Sequence, residues 1–204
     1  MNEVADPGPP QHAASAYPVS ATADLQDSYV RFLPLVKWLL LVPHYIALFF
    51  LAIGAAVVAF ISLFAVLFTG SYPRGMWDYM AGFYRWTLRV TAYLLLMTDR
   101  YPPFTLGETA DDNVHLHAEY PVRVERWRPF VAWLLVLPYL VVASLILAVA
   151  QVCSFLAFFT IIFTKRIPDG IFDIMRVALN WQMRANLYSY WMSTRYPPFS
   201  WDEE

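Results

Sequence analysis

The sequence predicts an all-α integral membrane protein built as a tandem repeat of two helical hairpins. Three observations lead to this fold class: a surplus of apolar residues, two long hydrophobic runs, and a register in which the chain repeats itself. Of its 204 residues, 59% are hydrophobic and only 15% are charged, whereas about a quarter of the residues of a soluble domain are charged. One soluble core of this size could not bury so much apolar surface, so lipid is the expected solvent.

The first hydrophobic run follows a tail that has a different composition. Residues 1–30 are rich in Ala, Pro, Ser and Asp and lack helical or strand periodicity, which predicts a disordered, solvated tail. The run from Leu35 to Thr69 would form a helix of about 52 Å, well beyond a hydrocarbon core of about 30 Å. Pro43 is expected to break it, leaving a short interfacial helix before Pro43 and a spanning helix over 44–69. No signal peptide is recognisable at the N-terminus.

The second hydrophobic run has the same plan. Residues 128–137 precede Pro138 as a short interfacial helix, and Tyr139 to Thr164 is long enough to span. A polar segment separates the two runs. The expected division is therefore a tail (1–30), a first membrane repeat (31–104), a polar linker (105–125) and a second membrane repeat (126–204).

An internal duplication relates the two halves. A shift of 95 residues superimposes the residues that punctuate and anchor helices, and not only the interchangeable Leu and Val. Two unrelated apolar segments would not share Pro, Trp, Gly, Arg and Asp in one register, so the chain is a tandem duplication. The matched pairs include Pro34 and Pro129, Trp38 and Trp133, Pro43 and Pro138, Gly75 and Gly170, Asp78 and Asp173, Trp86 and Trp181, Arg89 and Arg184, and the motif Arg-Tyr-Pro-Pro-Phe at 100–104 and 195–199.

The second helix of each repeat carries charge. These helices are expected over residues 76–98 and 171–193, each after a turn rich in Gly and Pro. At 100° per residue, the polar side chains of each helix fall on one face. We call these faces the first polar stripe (Asp78, Gly82, Arg85, Arg89 and Tyr93) and the second polar stripe (Asp173, Val177, Asn180, Arg184 and Tyr188).

Two membrane geometries are open for the helices that carry the stripes. They either cross the bilayer, giving four transmembrane helices, or lie in the interface, giving two spans and an inverted repeat. Their length and the apolar stretch from Val90 to Met97 favour four spans, whereas the arginine pairs favour the interface. Four spans are the expected arrangement, and they would place both termini and the linker on one side. The Lys and Arg bias then predicts that this side faces the cytoplasm.

The first copy contains the motifs Pro43-His-Tyr45, Phe68-Thr-Gly-Ser-Tyr-Pro-Arg-Gly75, Arg85-Trp-Thr-Leu-Arg-Val90 and Asp99-Arg-Tyr-Pro-Pro-Phe104. These motifs resemble those of a family of bacterial membrane proteins catalogued as domain of unknown function 4389. The resemblance covers about residues 30–200, counting both copies, and implies a multi-pass location in the bacterial inner membrane without an established activity. The second copy departs from the pattern at Tyr139, Lys165 and Asn180, where the first has His44, Gly70 and Arg85.

The polar stripes are the best candidate site. They either hold the bundle in register by pairing Asp with Arg between the two copies, or form a pocket for an anionic headgroup or substrate. No catalytic residue, metal ligand or cofactor site is predicted: His115 and His117 suit a solvated loop, and His44 suits an interfacial anchor. The candidate ligand or headgroup residues are Asp78, Arg85, Arg89, Tyr93, Asp173, Arg184 and Tyr188.

Two functions of different classes follow. The first is a non-enzymatic accessory or scaffold module that contacts the lipid bilayer, other membrane subunits or a second copy of itself. The second is a small transporter or anionic-lipid-binding protein that uses the polar stripes. A net charge of −2 gives no reason to expect nucleic acid as a partner.

Overall fold

The computed structural model describes residues 17–109 and 112–201, which are mostly helical. A 3₁₀ turn at Leu33–Leu35 precedes the first helix. The elements are β1 (Val19–Ala23), α1 (Lys37–Leu40), α2 (Val42–Thr69), α3 (Arg74–Leu94), β2 (Val114–Ala118), α4 (Arg128–Leu135), α5 (Leu137–Thr164) and α6 (Asp169–Ser189).

The long helices begin at the two expected prolines. Pro43 and Pro138 each lie in the first turn of a 28-residue helix, where a missing N–H has no intrahelical partner to lose. The short helices α1 and α4 come directly before them. At the other end of α2, Gly70 takes a left-handed conformation (φ 69°) that closes the helix through its N–H to the Val66 carbonyl. Lys165 holds the same position after α5.

Helices α2 and α5 are the two described helices that are long and apolar enough to cross a membrane. Their mean hydropathies are 2.8 and 2.5, and most of their side chains are exposed, including Phe60 and Phe155. Helices α3 and α6 have 21 residues each and carry the charged stripes. Two of the four expected spans therefore have the composition of a membrane helix.

Each long helix forms an antiparallel hairpin with the helix that follows it. In the first hairpin, the Tyr79 hydroxyl donates to the Leu51 carbonyl at 2.9 Å and the Trp86 indole donates to His44 Nδ1 at 3.0 Å. In the second, the ring of Tyr139 stacks on that of Trp181, with centroids 4.7 Å apart. Helices α3 and α6 pack against each other between α2 and α5.

The two hairpins run in opposite directions. The backbone of Tyr29, shortly before α1, donates to the carbonyl of Lys165, which follows α5. At the opposite end, Val124 donates to the carbonyl of Gly70, which follows α2, at 3.0 Å. We call these the Lys165 end and the Gly70 end. Since α2 starts where α5 finishes, the copies are related by an inversion. The expected four-span arrangement does not contain this inversion, whereas the alternative with two spans and an inverted repeat does.

A two-stranded antiparallel sheet is the main departure from the predicted all-α fold. Strand β1 lies in the expected tail, and its small residues weaken the alternating pattern in the sequence. Strand β2 lies in the expected polar linker and alternates over only five residues. The central pair joins Ala21 to Leu116, which are themselves 95 residues apart. The strands are thus part of the duplication, and a pseudo-twofold axis passes between these two residues. Residues 1–16 of the tail lie outside the described residues.

The sheet runs lengthwise over the α3–α6 pair, with each strand on the other copy's helix. Strand β2 packs on α3 and β1 packs on α6. The chain that contains β2 reaches from Asp112, beside Arg89, to Tyr120, whose ring lies 5.5 Å from that of Trp77 near the start of α3. Residues that face the helices are buried, whereas His115 and His117 on the other face of β2 are exposed. The molecule therefore has a polar sheet on one side of its helices.

Candidate functional site

The arginines of the first polar stripe fasten the linker to α3. Arg89 is 3% exposed and its guanidinium group contacts Asp112 at 3.0 Å, the hydroxyl of Thr109 at 3.2 Å, and the carbonyl of Thr105. Arg85 donates to the Leu106 carbonyl at 2.9 Å and pairs with Glu108 at 3.1 Å. Because these partners all belong to the segment after α3, the stripe acts as the contact surface for that segment.

The second polar stripe fastens β1 in the same way. Arg184 is 1% exposed, donates from Nε to the carbonyl of Val19 at 3.2 Å and lies 5.2 Å from the centre of the Tyr17 ring. Asn180 accepts a hydrogen bond from the backbone of Ala21 at 3.0 Å. An arginine and an asparagine thus satisfy backbone groups of a strand that belongs to the other repeat.

The duplication shows that these contacts are equivalent. Residues 17 and 112 match under the 95-residue shift, and so do Arg89 and Arg184. One copy uses an ion pair between Arg89 and Asp112, whereas the other uses a cation–π contact between Arg184 and Tyr17. Both arginines hold the residue that stands just before a strand. The arginine of each stripe therefore contacts the other repeat, as expected, but its partner is a strand segment and not the aspartate of the opposite helix.

The aspartates of the stripes lie apart from these contacts. Asp78 pairs with Arg74 at 3.1 Å, and Asp173 with Arg176 at 3.4 Å, both on exposed turns at the starts of their own helices. Tyr93 and Tyr188 are buried, and each lies beneath a cation: Lys37 at 4.7 Å and Arg128 at 5.6 Å. The seven candidate residues are thus spread over several local contacts and do not converge on one pocket.

The stripe positions Gly82 and Val177 play different roles. A Cβ added at Gly82 would lie 2.7 Å from the Cβ of Leu106, so glycine is needed for the close approach of the linker to α3. Val177 is half-buried and packs against the hydrophobic core. Neither residue lines an open path along the stripe.

The sequence did not lead us to predict a buried ion pair between Lys37 and Asp99. Lys37 is 1% exposed, and its ammonium group lies 2.8 Å from Asp99 and 2.7 Å from the carbonyl of Thr98. Burial lowers the pKa of Lys37, and the hydrogen bond and charge of Asp99 oppose that shift. A lysine that interrupts an otherwise apolar run was the available signal, since an unpaired charge at such a position would be costly.

The repeated Arg-Tyr-Pro-Pro-Phe motif closes an aromatic box in each copy. In the first, Phe104 stacks on His44 with ring centroids 4.0 Å apart, and Tyr101 and Trp86 pack against the same rings. In the second, Phe199 and Tyr196 pack on Tyr139, which occupies the position of His44. His44 is fully buried, unlike an interfacial anchor. The motif docks the segment after each stripe helix onto the start of the long helix.

The histidine pair lies on the outer face of the sheet. His115 and His117 are exposed, and among the described residues no group of three or more His, Cys, Asp or Glu is arranged to hold a metal ion. They border a cavity of about 130 Å³ between β2 and α3, which Arg85 and Arg89 also line. The Nε atoms of both arginines are buried and have no partner among the described residues.

Comparison with known proteins gives one match. The model of the family described as Domain of unknown function (DUF4389) matches residues 34–105 and again residues 126–200. These ranges cover both helical hairpins and the aromatic boxes, so the resemblance to this family, in two tandem copies, is confirmed. No curated protein and no solved structure matches the chain.

Proposed function

The chain belongs to the family described as Domain of unknown function (DUF4389), and from that premise we propose that it is a non-enzymatic scaffold or accessory module embedded in a membrane. One observation carries the proposal: the buried arginines of both stripes are used to hold the strands of the opposite repeat. A group that is committed to the fold in this way is not free to bind and release a substrate. The stripes therefore support a structural role better than a transport path.

The exposed surface indicates what such a module contacts. Side chains such as Phe49, Phe60 and Val149 are more than half exposed on α2 and α5. An apolar surface of this extent needs lipid chains or apolar helices against it. We propose that lipid covers most of it and that partner subunits or a second copy of the chain bind to the remainder.

We further propose that the molecule lies along the membrane, with α2 and α5 in the hydrocarbon and the sheet facing water. The sheet lies over the middle of the α3–α6 pair, so upright helices would place its backbone and the exposed His115 and His117 at the depth of the lipid tails. Open sheet edges are not tolerated against lipid. In this arrangement the exposed Lys and Arg side chains belong at the water-facing surface, which the positive-inside rule assigns to the cytoplasm.

The alternative is a small transporter or anionic-lipid-binding protein with upright helices. It gains support from the cavity of about 130 Å³ beside Arg85 and Arg89. Irregular backbone is tolerated at membrane depth where it lines a water-filled cavity. In this arrangement, several copies would surround a hydrated path lined by the outer faces of their sheets.

Native mass spectrometry of the protein, extracted gently from its own membranes, tests the two functions. A scaffold or accessory module is expected to leave the membrane in a fixed stoichiometric complex with other polypeptides. As a control, the Arg89→Gln variant should lose the complex and its own fold together, because Arg89 holds the linker. A ring of identical subunits that retains a small solute, with no other polypeptide, would support the transporter and contradict the scaffold.

A further inference from the structure

A second cleft lies at the Gly70 end, away from both stripes. It has a volume of about 470 Å³, and its two walls are the turn at residues 69–71 and the linker at residues 122–126. The hydrogen bond from Val124 to the Gly70 carbonyl joins the walls. A Cβ on Gly70 would make an ordinary contact, 3.6 Å from the Val124 carbonyl, so the glycine suits the left-handed backbone (φ 69°) at the edge of the cleft.

The cleft carries unbalanced positive charge. Arg123 and Arg126 line it, and neither guanidinium group has a hydrogen-bond or ion-pair partner within the described part of the chain. The one carboxylate on the lining, Glu125, is held by Arg128 at 2.7 Å. That hydrogen bond also lowers the pKa of Glu125. The guanidinium groups of Arg123 and Arg126 are therefore available to bind an anion.

The end of α2 presents less negative charge to the cleft than a bare helix C-terminus would. The Val66 carbonyl accepts the N–H of Gly70 at 2.8 Å, and the Ala65 carbonyl accepts the Thr69 hydroxyl at 2.7 Å. Capping groups of this kind satisfy carbonyls that would otherwise face an incoming anion. The hydroxyl of Ser71, on the same wall, lies 2.9 Å from that of Thr69 and stabilises this capping arrangement.

An apolar track leads away from the cleft. Phe68, in the last turn of α2, is 70% exposed, and Phe64 one turn earlier is 43% exposed. On the facing wall Val122 is 85% exposed. A ligand with a phosphate group and a hydrocarbon chain would match this order of surfaces, with its phosphate at the arginines and its chain along α2. A free phosphate would leave the apolar part uncovered.

We propose that this cleft binds the phosphate of an anionic phospholipid headgroup, with the lipid chain lying along the end of α2. Arg123 and Arg126 contact the phosphate, because paired guanidinium groups suit phosphate oxygens. The inference rests on the membrane-embedded part of the proposed function. It makes the Gly70 end, and not the polar stripes, the point at which the protein selects lipids.

Lipid retention by the purified full-length protein tests the assignment. The protein in detergent is mixed with equal amounts of phosphatidylglycerol and phosphatidylcholine, and native mass spectrometry counts each bound lipid. We expect a preference for phosphatidylglycerol that falls about tenfold or more in the variant Arg123→Gln/Arg126→Gln, since both cations contribute near an anionic headgroup. The control Arg100→Gln/Arg166→Gln removes the same two charges elsewhere and should keep the preference.

Several outcomes would overturn the proposal. An equal fall in the control would reduce the effect to overall charge, and an unchanged preference in the cleft variant would remove the site. Binding of inorganic phosphate alone, detected as thermal stabilisation that the cleft variant loses, would assign the cleft to a soluble ligand. Circular dichroism must show both variants folded, and the single variant Arg123→Gln replaces the cleft variant if that one is not. Failure of the protein to sediment with membranes would instead contradict the proposed function itself.

Discussion

The buried ion pair of Lys37 and Asp99 can be compared with the equivalent positions of the second copy. Their counterparts under the 95-residue shift are Ala132, which is also fully buried, and Thr194. Both members of the ion pair are therefore absent from the second copy. A lone lysine or a lone aspartate in this position would be strongly unfavourable, because it would keep its burial and lose its counter-charge. The fold itself accepts either the full pair or a neutral pair.

This comparison gives a double-mutant cycle with a natural template. Lys37→Ala leaves Asp99 without its cation and is expected to lower the free energy of unfolding by about 3–5 kcal/mol. The double variant Lys37→Ala/Asp99→Thr reproduces the second copy and should recover most of that loss. Thermal unfolding in detergent, followed by circular dichroism, measures both. If the double variant is as unstable as the single one, the two side chains are not coupled as the structure indicates.

At the scale of elements, two tyrosines hold the segment that contains β1. The hydroxyl of Tyr17 donates to the Arg195 carbonyl, and that of Tyr29 donates to the Met97 carbonyl, both at 3.0 Å. Burial is the main cause that raises the pKa of each phenol to about 12. The fold therefore favours the neutral phenols. Their hydrogen bonds hold the segment that contains β1 at both of its ends.

The raised values predict how stability changes at high pH. A tyrosine whose pKa is higher in the folded protein stabilises the fold at every pH below its pKa in the unfolded chain, here 10.0. That contribution is lost as the pH rises toward the pKa of about 12 in the folded protein. We expect the midpoint of thermal unfolding to fall across this interval. The variant Tyr17→Phe/Tyr29→Phe should be less stable at neutral pH, by about 1 kcal/mol for each lost hydrogen bond, and should show a shallower fall. Equal slopes for the two proteins would contradict the assignment.

The elements differ in how far the sequence could predict them. The helix breaks at Pro43 and Pro138 were predictable because proline has a local effect on the backbone. The strands were missed because β1 reads Val-Ser-Ala-Thr-Ala, whose side chains are too small to show a clear period of two. Their pairing is also non-local, joining Val19 to Ala118. Residue patterns within one segment do not record a partner so far along the chain.

The candidate site was predictable in its residues but not in its partners. Spacing alone placed Arg89 on the polar face of α3 and Arg184 on that of α6, and both are buried there. Their contacts with Asp112 and Val19 depend on strands that the sequence did not reveal. With those strands unrecognised, pairing between the two helices was the available expectation. In the structure, the arginine of each repeat instead contacts the strand segment of the other repeat.

At the scale of the whole molecule, the inverted hairpins decide which orientations are reasonable. The Gly70 end and the Lys165 end are at opposite ends of the long helices, and the sheet joins them along one side. An upright molecule would place these ends on opposite sides of the membrane, with polar strands between them. A molecule lying flat keeps both ends and the sheet at the same surface, and only α2 and α5 enter the hydrocarbon.

Thiol labelling in sealed vesicles distinguishes these orientations. Single cysteines replace Ser28 near the Lys165 end, Val122 at the Gly70 end and His117 on the sheet, in a Cys153→Ala background that removes the buried native thiol. For a molecule lying flat, a membrane-impermeant maleimide should label all three from the same side. A cysteine at Phe60, which is 64% exposed on the apolar surface of α2, should stay unlabelled until detergent is added. Labelling of Ser28→Cys and Val122→Cys from opposite sides would show that the helices stand upright, and the polar sheet would then have to line a water-filled path.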